Sequence, residues 1–150
     1  MAVRRFAAIF FILVGLTVWT PKEILSMDLT QFQWKNRLLF IFAQDASHPL
    51  FKDLQSQIAA QKAEVDGRDL IVFEVTAQGP ARMNTRPLDR KEADSIRNHF
   101  TVPDDTFSLI LVGKDGGIKL KRSDRVDLRA VFDLIDAMPM RQREMRQKNK

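Results

Sequence analysis

The chain offers few groups for covalent chemistry. It contains no cysteine, so disulfides, thiolate nucleophiles, iron–sulfur clusters and every zinc site that uses sulfur are excluded together. Its two histidines, His48 and His99, lie in different halves of the sequence, far from the i, i+4 spacing of a zinc-binding helix. No metal and no cofactor is expected. Ser47 and His48 are the residue types of a nucleophile and its base, but neighbours in an extended turn point apart, and the base must come within ~3 Å of the hydroxyl. Their position before a helix instead suits Ser47 as an N-cap acceptor and His48 as a solvated loop residue.

Three other titratable positions stand out. Glu74 interrupts an apolar run, where a buried carboxylate could serve as an acid or base. Its place one residue from the end of the run favours a paired or solvent-reaching structural role. His99, beside Phe100 at the expected end of a helix, suits an interaction with the helix C-terminus. Asp104-Asp105 follow Pro103 and mark a turn. A cationic stretch, Lys119, Lys121, Arg122, Arg125 and Arg129 against Asp124 and Asp127, reads as a solvated face whose lysines also discourage strand-to-strand aggregation. No catalytic residue is assigned. The candidate contact surface comprises Gln44, Ser47, His48, Lys119, Arg122 and Arg141.

The formal charge of +5 resides at the two ends. Arg4, Arg5 and Lys22 oppose only Glu23 at the start, and Arg141, Arg143, Arg146, Lys148 and Lys150 oppose only Glu144 at the finish. The body between them is slightly acidic, so no nucleic-acid partner is expected, because nucleic-acid domains concentrate Lys and Arg on one folded face; polyanion contact through the basic tail is the alternative. The expected partner is an unidentified protein or envelope component. The tail from residue 141 onward has no apolar stripe beyond Met140 and Met145, so it reads as frayed and solvated, with weak contact to anionic lipid or cell-wall polymer as its alternative role.

Arg4 and Arg5 precede residues 6–19, which carry no charge. A cationic start followed by a short apolar run is the layout of an export signal. As a helix the run would span about 21 Å, less than the ~30 Å hydrocarbon core. Residues 1–20 are therefore expected to be a signal peptide, or a short anchor if cleavage fails, which places the domain in the periplasm or outside the cell. Absence of cysteine suits an oxidising compartment, where stray thiols pair wrongly.

At 150 residues and 45% hydrophobic composition, one compact domain is the expected content. Residues 21–36 form a lead-in without a clear periodicity. Residues 37–44, centred on Leu38-Leu39-Phe40-Ile41-Phe42, form a continuous apolar run of strand length, as in a strand covered on both faces. Leu50, Leu54 and Ile58 then repeat every fourth residue as one helix face, closed at Asp66-Gly67 by a glycine suited to a left-handed cap. Residues 70–75 give a second strand, and residues 78–87 a polar loop. Asp89 with Glu92 fits a capping box, Leu88 can staple to Ala93, and Ala93, Ile96 and Phe100 form the buried stripe. Residues 107–112 and 118–121 are strands joined across Asp115-Gly116. Asp127 can cap a last helix built on Leu128, Val131, Phe132 and Ile135, stopped by Pro139.

The order strand, helix, strand, helix, strand, turn, strand, helix requires a right-handed parallel crossover followed by an antiparallel hairpin. The expected fold is thus α/β and thioredoxin-like: a four-stranded mixed sheet, βαβ then ββα, with helices on both faces, over residues 37–138, followed by a basic tail at 139–150.

Three strings carry a family likeness: Trp34-Lys35-Asn36-Arg37 running into Leu38-Leu39-Phe40-Ile41-Phe42-Ala43; Val112-Gly113-Lys114-Asp115-Gly116-Gly117-Ile118-Lys119-Leu120; and Leu134-Ile135-Asp136-Ala137-Met138-Pro139-Met140-Arg141. Together they resemble the bacterial family of domain of unknown function 4174, whose relatives include domains of animal secreted and extracellular-matrix proteins of the sushi-repeat and coiled-coil-domain-containing kind. The likeness covers about residues 29–146. It implies a thioredoxin-like fold, an extracytoplasmic setting and no established activity. In the thioredoxin superfamily the turn after the first core strand holds a Cys-x-x-Cys pair. Here that turn reads Ser47-His48-Pro49-Leu50, so Ser47 and Leu50 occupy the cysteine places. The superfamily's proline just before the third core strand is replaced by Asp105-Thr106, with Pro103 three residues before that. Thiol redox activity is excluded. The expected role is a non-catalytic binding or accessory module, with non-thiol hydrolysis through Glu74 or the Ser47-His48 turn as the enzymatic alternative.

Overall fold

Residues 27–148 are described by the computed structural model; the expected export segment, residues 1–20, lies outside them. The run after Asn36 forms β1 (Arg37–Ala43), every residue of which is buried. Alternation divides its side chains between two cores. Leu39, Ile41 and Ala43 pack with Phe51, Leu54, Leu128, Val131 and Phe132 on one face. Leu38, Phe40 and Phe42 pack with Phe73, Val75, Ala93, Ile96, Phe100 and Ile110 on the other. A strand apolar at every position after its first residue, Arg37, is stable only between two covering layers, and helices supply both.

After β1 come α1 (Pro49–Ala60) and α2 (Lys62–Asp66), then β2 (Leu70–Thr76), which pairs with β1 in parallel, Arg37 facing Leu70 and Ala43 facing Thr76. The expected single helix is broken at Gln61 (φ −120°). Gly67 does not make the expected left-handed cap; its φ is −62°, and the left-handed residue is Asp69, at φ 50°.

The expected loop over residues 78–87 is instead a small hairpin, β3 (Ala81–Met83) and β4 (Arg86–Leu88). Strands of three residues are too short to show period-2 patterning. Asn84, at φ 52°, makes the turn. Its side-chain oxygen accepts from the Val72 N–H at 2.9 Å, and its own N–H donates to the Val72 carbonyl at 2.7 Å. Pro87, which has no N–H, confines β4 to the edge. The sheet is therefore six-stranded, ordered β4-β3-β2-β1-β5-β6, rather than four-stranded.

Next, α3 (Arg90–His99) begins with a complete capping box, Asp89 accepting from the Glu92 N–H and Glu92 from the Asp89 N–H. β5 (Ser108–Val112) runs antiparallel to β1, and β6 (Ile118–Arg122) antiparallel to β5 as the other edge. α4 (Leu128–Asp136), capped by Asp127, covers the first core.

The tail departs most from expectation. Residues 139–148 form α5 (Pro139–Lys148), with Arg141 buried at 8% exposure, so the frayed, solvated reading is wrong. Pro139 does not only stop α4; it opens α5, where a missing N–H costs nothing. At the other end, the lead-in contains a 3₁₀ turn, Leu29–Phe32, and Met27, Leu29 and Phe32 pack against the second core. Among the described residues, no helix is long and apolar enough to cross a membrane.

Candidate functional site

The candidate residues separate to opposite ends of the sheet. Gln44, Ser47 and His48 follow the C-terminal end of β1, and Arg122 reaches the same end of the sheet through β6, where it faces Leu109, itself opposite Ile41. Lys119 lies beside the β5–β6 turn at the other end, and Arg141 enters that end from α5. They do not form one contact surface.

At the first end, the turn is closed by its own hydrogen bonds. The Ser47 N–H donates to Asp45 Oδ1 at 2.7 Å, and the Ser47 hydroxyl donates to the same oxygen. These bonds, the hydroxyl's first, hold the Asp45 carboxyl below the usual carboxylate range. Ser47 is therefore not the expected N-cap. The N-cap position is His48, which makes no side-chain capping bond, and Pro49 follows as the first helical residue, where a missing N–H costs nothing. Nor is His48 fully solvated: its ring stacks on Phe107 with centroids 5.3 Å apart and planes 7° apart, leaving Nδ1 buried without a partner. The Ser47 proton thus goes to a carboxylate, while the adjacent imidazole is held on an aromatic ring. This arrangement does not generate a nucleophile.

Arg97 completes this end. It is 4% exposed, and its guanidinium donates to the carbonyls of Ala43 (2.9 Å), Val75 (3.0 Å) and Pro103 (2.9 Å), with Nε 3.6 Å from Asp104. Burial pushes its pKa down, against the pull of Asp104. One side chain thereby satisfies carbonyls at the ends of both parallel strands. The sequence signal was weak: an arginine directly after Ile96 on the buried side of a helix otherwise reads as solvent-facing. Glu74, the possible acid or base, is held by Arg82 and by Gln55 Nε2 at 2.9 Å, in a structural pairing. Arg122 is matched by Asp124 through two bonds.

The opposite end holds a polar cluster that sequence reading missed. Arg37, 1% exposed, donates to both carboxylate oxygens of Glu144 at 3.2 Å and to the Arg68 carbonyl at 3.0 Å. Lys114 Nζ lies 2.8 Å from Glu144 and 2.8 Å from Asp69. Arg141 donates to Asp136 at 3.1 Å and to the Gly67 carbonyl at 2.8 Å, and Arg68 bonds Glu64 and Asp136. Burial raises the Glu144 pKa, but hydrogen bonds from Lys114 and Arg37 outweigh it and hold the carboxyl below its ordinary value. Each cation has an anion within reach, so the cluster ties β1, the β5–β6 turn and α5 together and offers no free charge to a ligand.

Beside this cluster opens a groove of about 440 Å³. Leu29, Phe32, Leu38, Phe100, Val112 and Ile118 form its apolar wall, with Gln33, Asn36, His99 and the turn residues Gly113, Asp115 and Gly116 at its rim. Gln33 Nε2 donates to the Asp115 carbonyl at 3.0 Å, joining the 3₁₀ segment to the β5–β6 turn. Gly116 sits in that turn at φ 83°, a conformation that costs glycine little. Among the described residues, no three His, Asp or Glu side chains are grouped to hold a metal ion.

The profile of a family described as domain of unknown function (DUF4174) matches residues 28–144. The chain belongs to this family. Similar curated proteins include coiled-coil domain-containing protein 80 of Danio rerio, 26% identical over 133 residues, covering 78% of this chain and 15% of that protein. The sushi repeat-containing protein SRPX of Rattus norvegicus is 29% identical over 120 residues, covering 78% of this chain and 26% of that protein. This DUF4174 chain therefore spans about a quarter or less of these relatives. Among solved structures, the reduced 2-Cys peroxiredoxin of Plasmodium vivax superposes with a TM-score of 0.58 at 14% identity, covering 77% of this chain and 84% of that one. Thioredoxin peroxidase I of Plasmodium yoelii gives 0.55 at 14%, covering 77% and 79%. The DUF4174 domain is thus thioredoxin-like in fold. With no cysteine, it has no sulfur at the position where that fold carries thiol chemistry.

Proposed function

We propose that this DUF4174 domain is an exported, non-catalytic binding module of the cell envelope. The reading is carried by the Ser47-His48 turn. Its hydroxyl is committed to Asp45 and its imidazole to Phe107, so the site of the fold's chemistry is occupied by internal contacts. The other polar group considered for catalysis, Glu74, is engaged with Arg82. Export is supported by the cationic and apolar start of the chain and by the extracellular setting implied by the family likeness.

Two measurements test it. Purified full-length chain is assayed against ester, amide and phosphoester reporter substrates beside the Ser47→Ala and His48→Ala variants. The expected result is no turnover above buffer; turnover lost in either variant would replace the binding reading with a hydrolytic one. Proximity labelling in the native envelope should recover a reproducible protein or envelope component. Labelling confined to cytoplasmic proteins would sink the export reading.

A further inference from the structure

Two large apolar side chains are left in solvent beside the groove: Trp34, 64% exposed, and Ile118, 55% exposed. Both belong to the same end of the sheet. Ile118 lines the groove directly, and Trp34 lies between the rim residues Gln33 and Asn36, its N–H donating to the Lys114 carbonyl at 2.6 Å. Trp34 also holds a left-handed backbone, φ 64°, which is strained for a bulky side chain. The Trp34–Lys114 bond and the Asn36 N–H donating to Phe32 at 2.9 Å fix that conformation. An exposed indole in a strained backbone contributes little to the core, so its placement needs another reason.

The chain outside the described residues supplies one. Met27 packs against the same core that walls the groove, and only seven residues, 20–26, separate it from the apolar run 6–19. Fully extended, seven residues reach about 25 Å. If the run stays in a membrane, the face beginning at Met27 cannot move farther than that from the lipid. An amphipathic indole is the side chain favoured at the headgroup level of a bilayer, and Ile118 adds an exposed aliphatic side chain at the same end of the sheet. We propose that the end of the sheet bearing Trp34 and Ile118 rests on the phospholipid surface that holds the N-terminal run. The inference rests on the envelope reading above and adds the partner for this face. Charges at this end are mixed: Lys35 and Asp28 are exposed, and Lys119 is paired with Asp115 at 2.6 Å. The contact is therefore apolar and insensitive to salt, unlike capture by a basic tail.

The test uses the full chain carrying Trp19→Phe, which leaves Trp34 as the only indole, bound to phosphatidylcholine vesicles. Trp34 fluorescence should be quenched by lipid brominated near the top of the acyl chain and shielded from aqueous acrylamide, equally at low and high salt. Adding Ile118→Asp, at an exposed position, should lower the lipid quenching and restore acrylamide access. Trp34 as open to acrylamide on vesicles as in buffer overturns the bilayer assignment, as does quenching that disappears at high salt or a chain that stays in the supernatant. None of these failures touches the turnover assays of the binding reading, which proceed without lipid.

Discussion

Replacing Glu144 by Ala should remove the anion that holds the C-terminal helix to the sheet. The carboxylate is 21% exposed and receives two bonds from Arg37 at 3.2 Å and one contact from Lys114 at 2.8 Å. Its removal leaves Arg37, at 1% exposure, with only the Arg68 carbonyl, while Lys114 keeps Asp69. Breaking a buried pair by deleting one partner costs about 3–5 kcal/mol, because the remaining charge stays desolvated. With part of both partners' contacts retained, the lower end applies, about 3 kcal/mol. For a domain of this size that lowers Tm by roughly 10 °C. Urea and thermal unfolding followed by circular dichroism measure it. The double variant Arg37→Met with Glu144→Met, which removes both charges and fills similar volume, should recover most of the loss. The pH dependence has a definite sign. Because the folded carboxyl lies below its ordinary value of 4.5, its contribution is present above about pH 4.5 and fades as pH falls through the lower folded value. The wild type should therefore lose more stability on acidification than Glu144→Ala. A Glu144→Ala melt within 3 °C of wild type, together with the same acid sensitivity, would refute the view that ionic contacts dock α5.

Arg97→Met should cost about 1–3 kcal/mol, since the Val75 carbonyl loses the guanidinium in a buried setting while Ala43 keeps the Ala77 N–H and Pro103 keeps the Thr106 N–H. Hydrogen exchange should also speed up at the amides of Ala77 and Gln78, which bond to Ala43 and Gln44; unchanged protection there would argue against Arg97 as the clamp of the strand ends. Asp89→Ala breaks the capping box of α3 and should lower unfolding free energy by about 1 kcal/mol with an unchanged urea m-value. Trp34→Gly relieves the left-handed backbone at φ 64° and should leave Tm unchanged or raise it, since the ~1–2 kcal/mol relief meets glycine's entropic cost of ~0.5–1 kcal/mol. A drop of several degrees would mean that the indole packs in the folded chain and is not held for a surface.

Much of the architecture was written in local pattern. The all-apolar run of β1 demanded cover on both faces, the four-residue spacing of Leu50, Leu54 and Ile58 gave a helix, and Asp89 with Glu92 announced the start of another. Each depends on neighbours within a few positions, so the sequence alone could carry it. The absence of cysteine ruled out thiol chemistry with no structure at all. The β3–β4 hairpin stayed hidden because three-residue strands have no period to detect, and its turn depends on Asn84 meeting Val72, twelve positions earlier.

The polar contacts were decided only in three dimensions. Nothing near Arg141 marks it as buried or Glu144 as paired, and α5 has no apolar stripe to advertise docking. Its attachment comes from Arg37, 107 positions before Glu144, and from Lys114 across a turn. A charge pair matters by its distance and its dielectric surroundings, and both are set by how remote segments meet. The same holds for the candidate surface: six residues of suitable type were visible in the chain, but only the fold could place Ser47 and His48 at one end of the sheet, and Lys119 and Arg141 at the other, where Trp34 and Ile118 also stand in solvent.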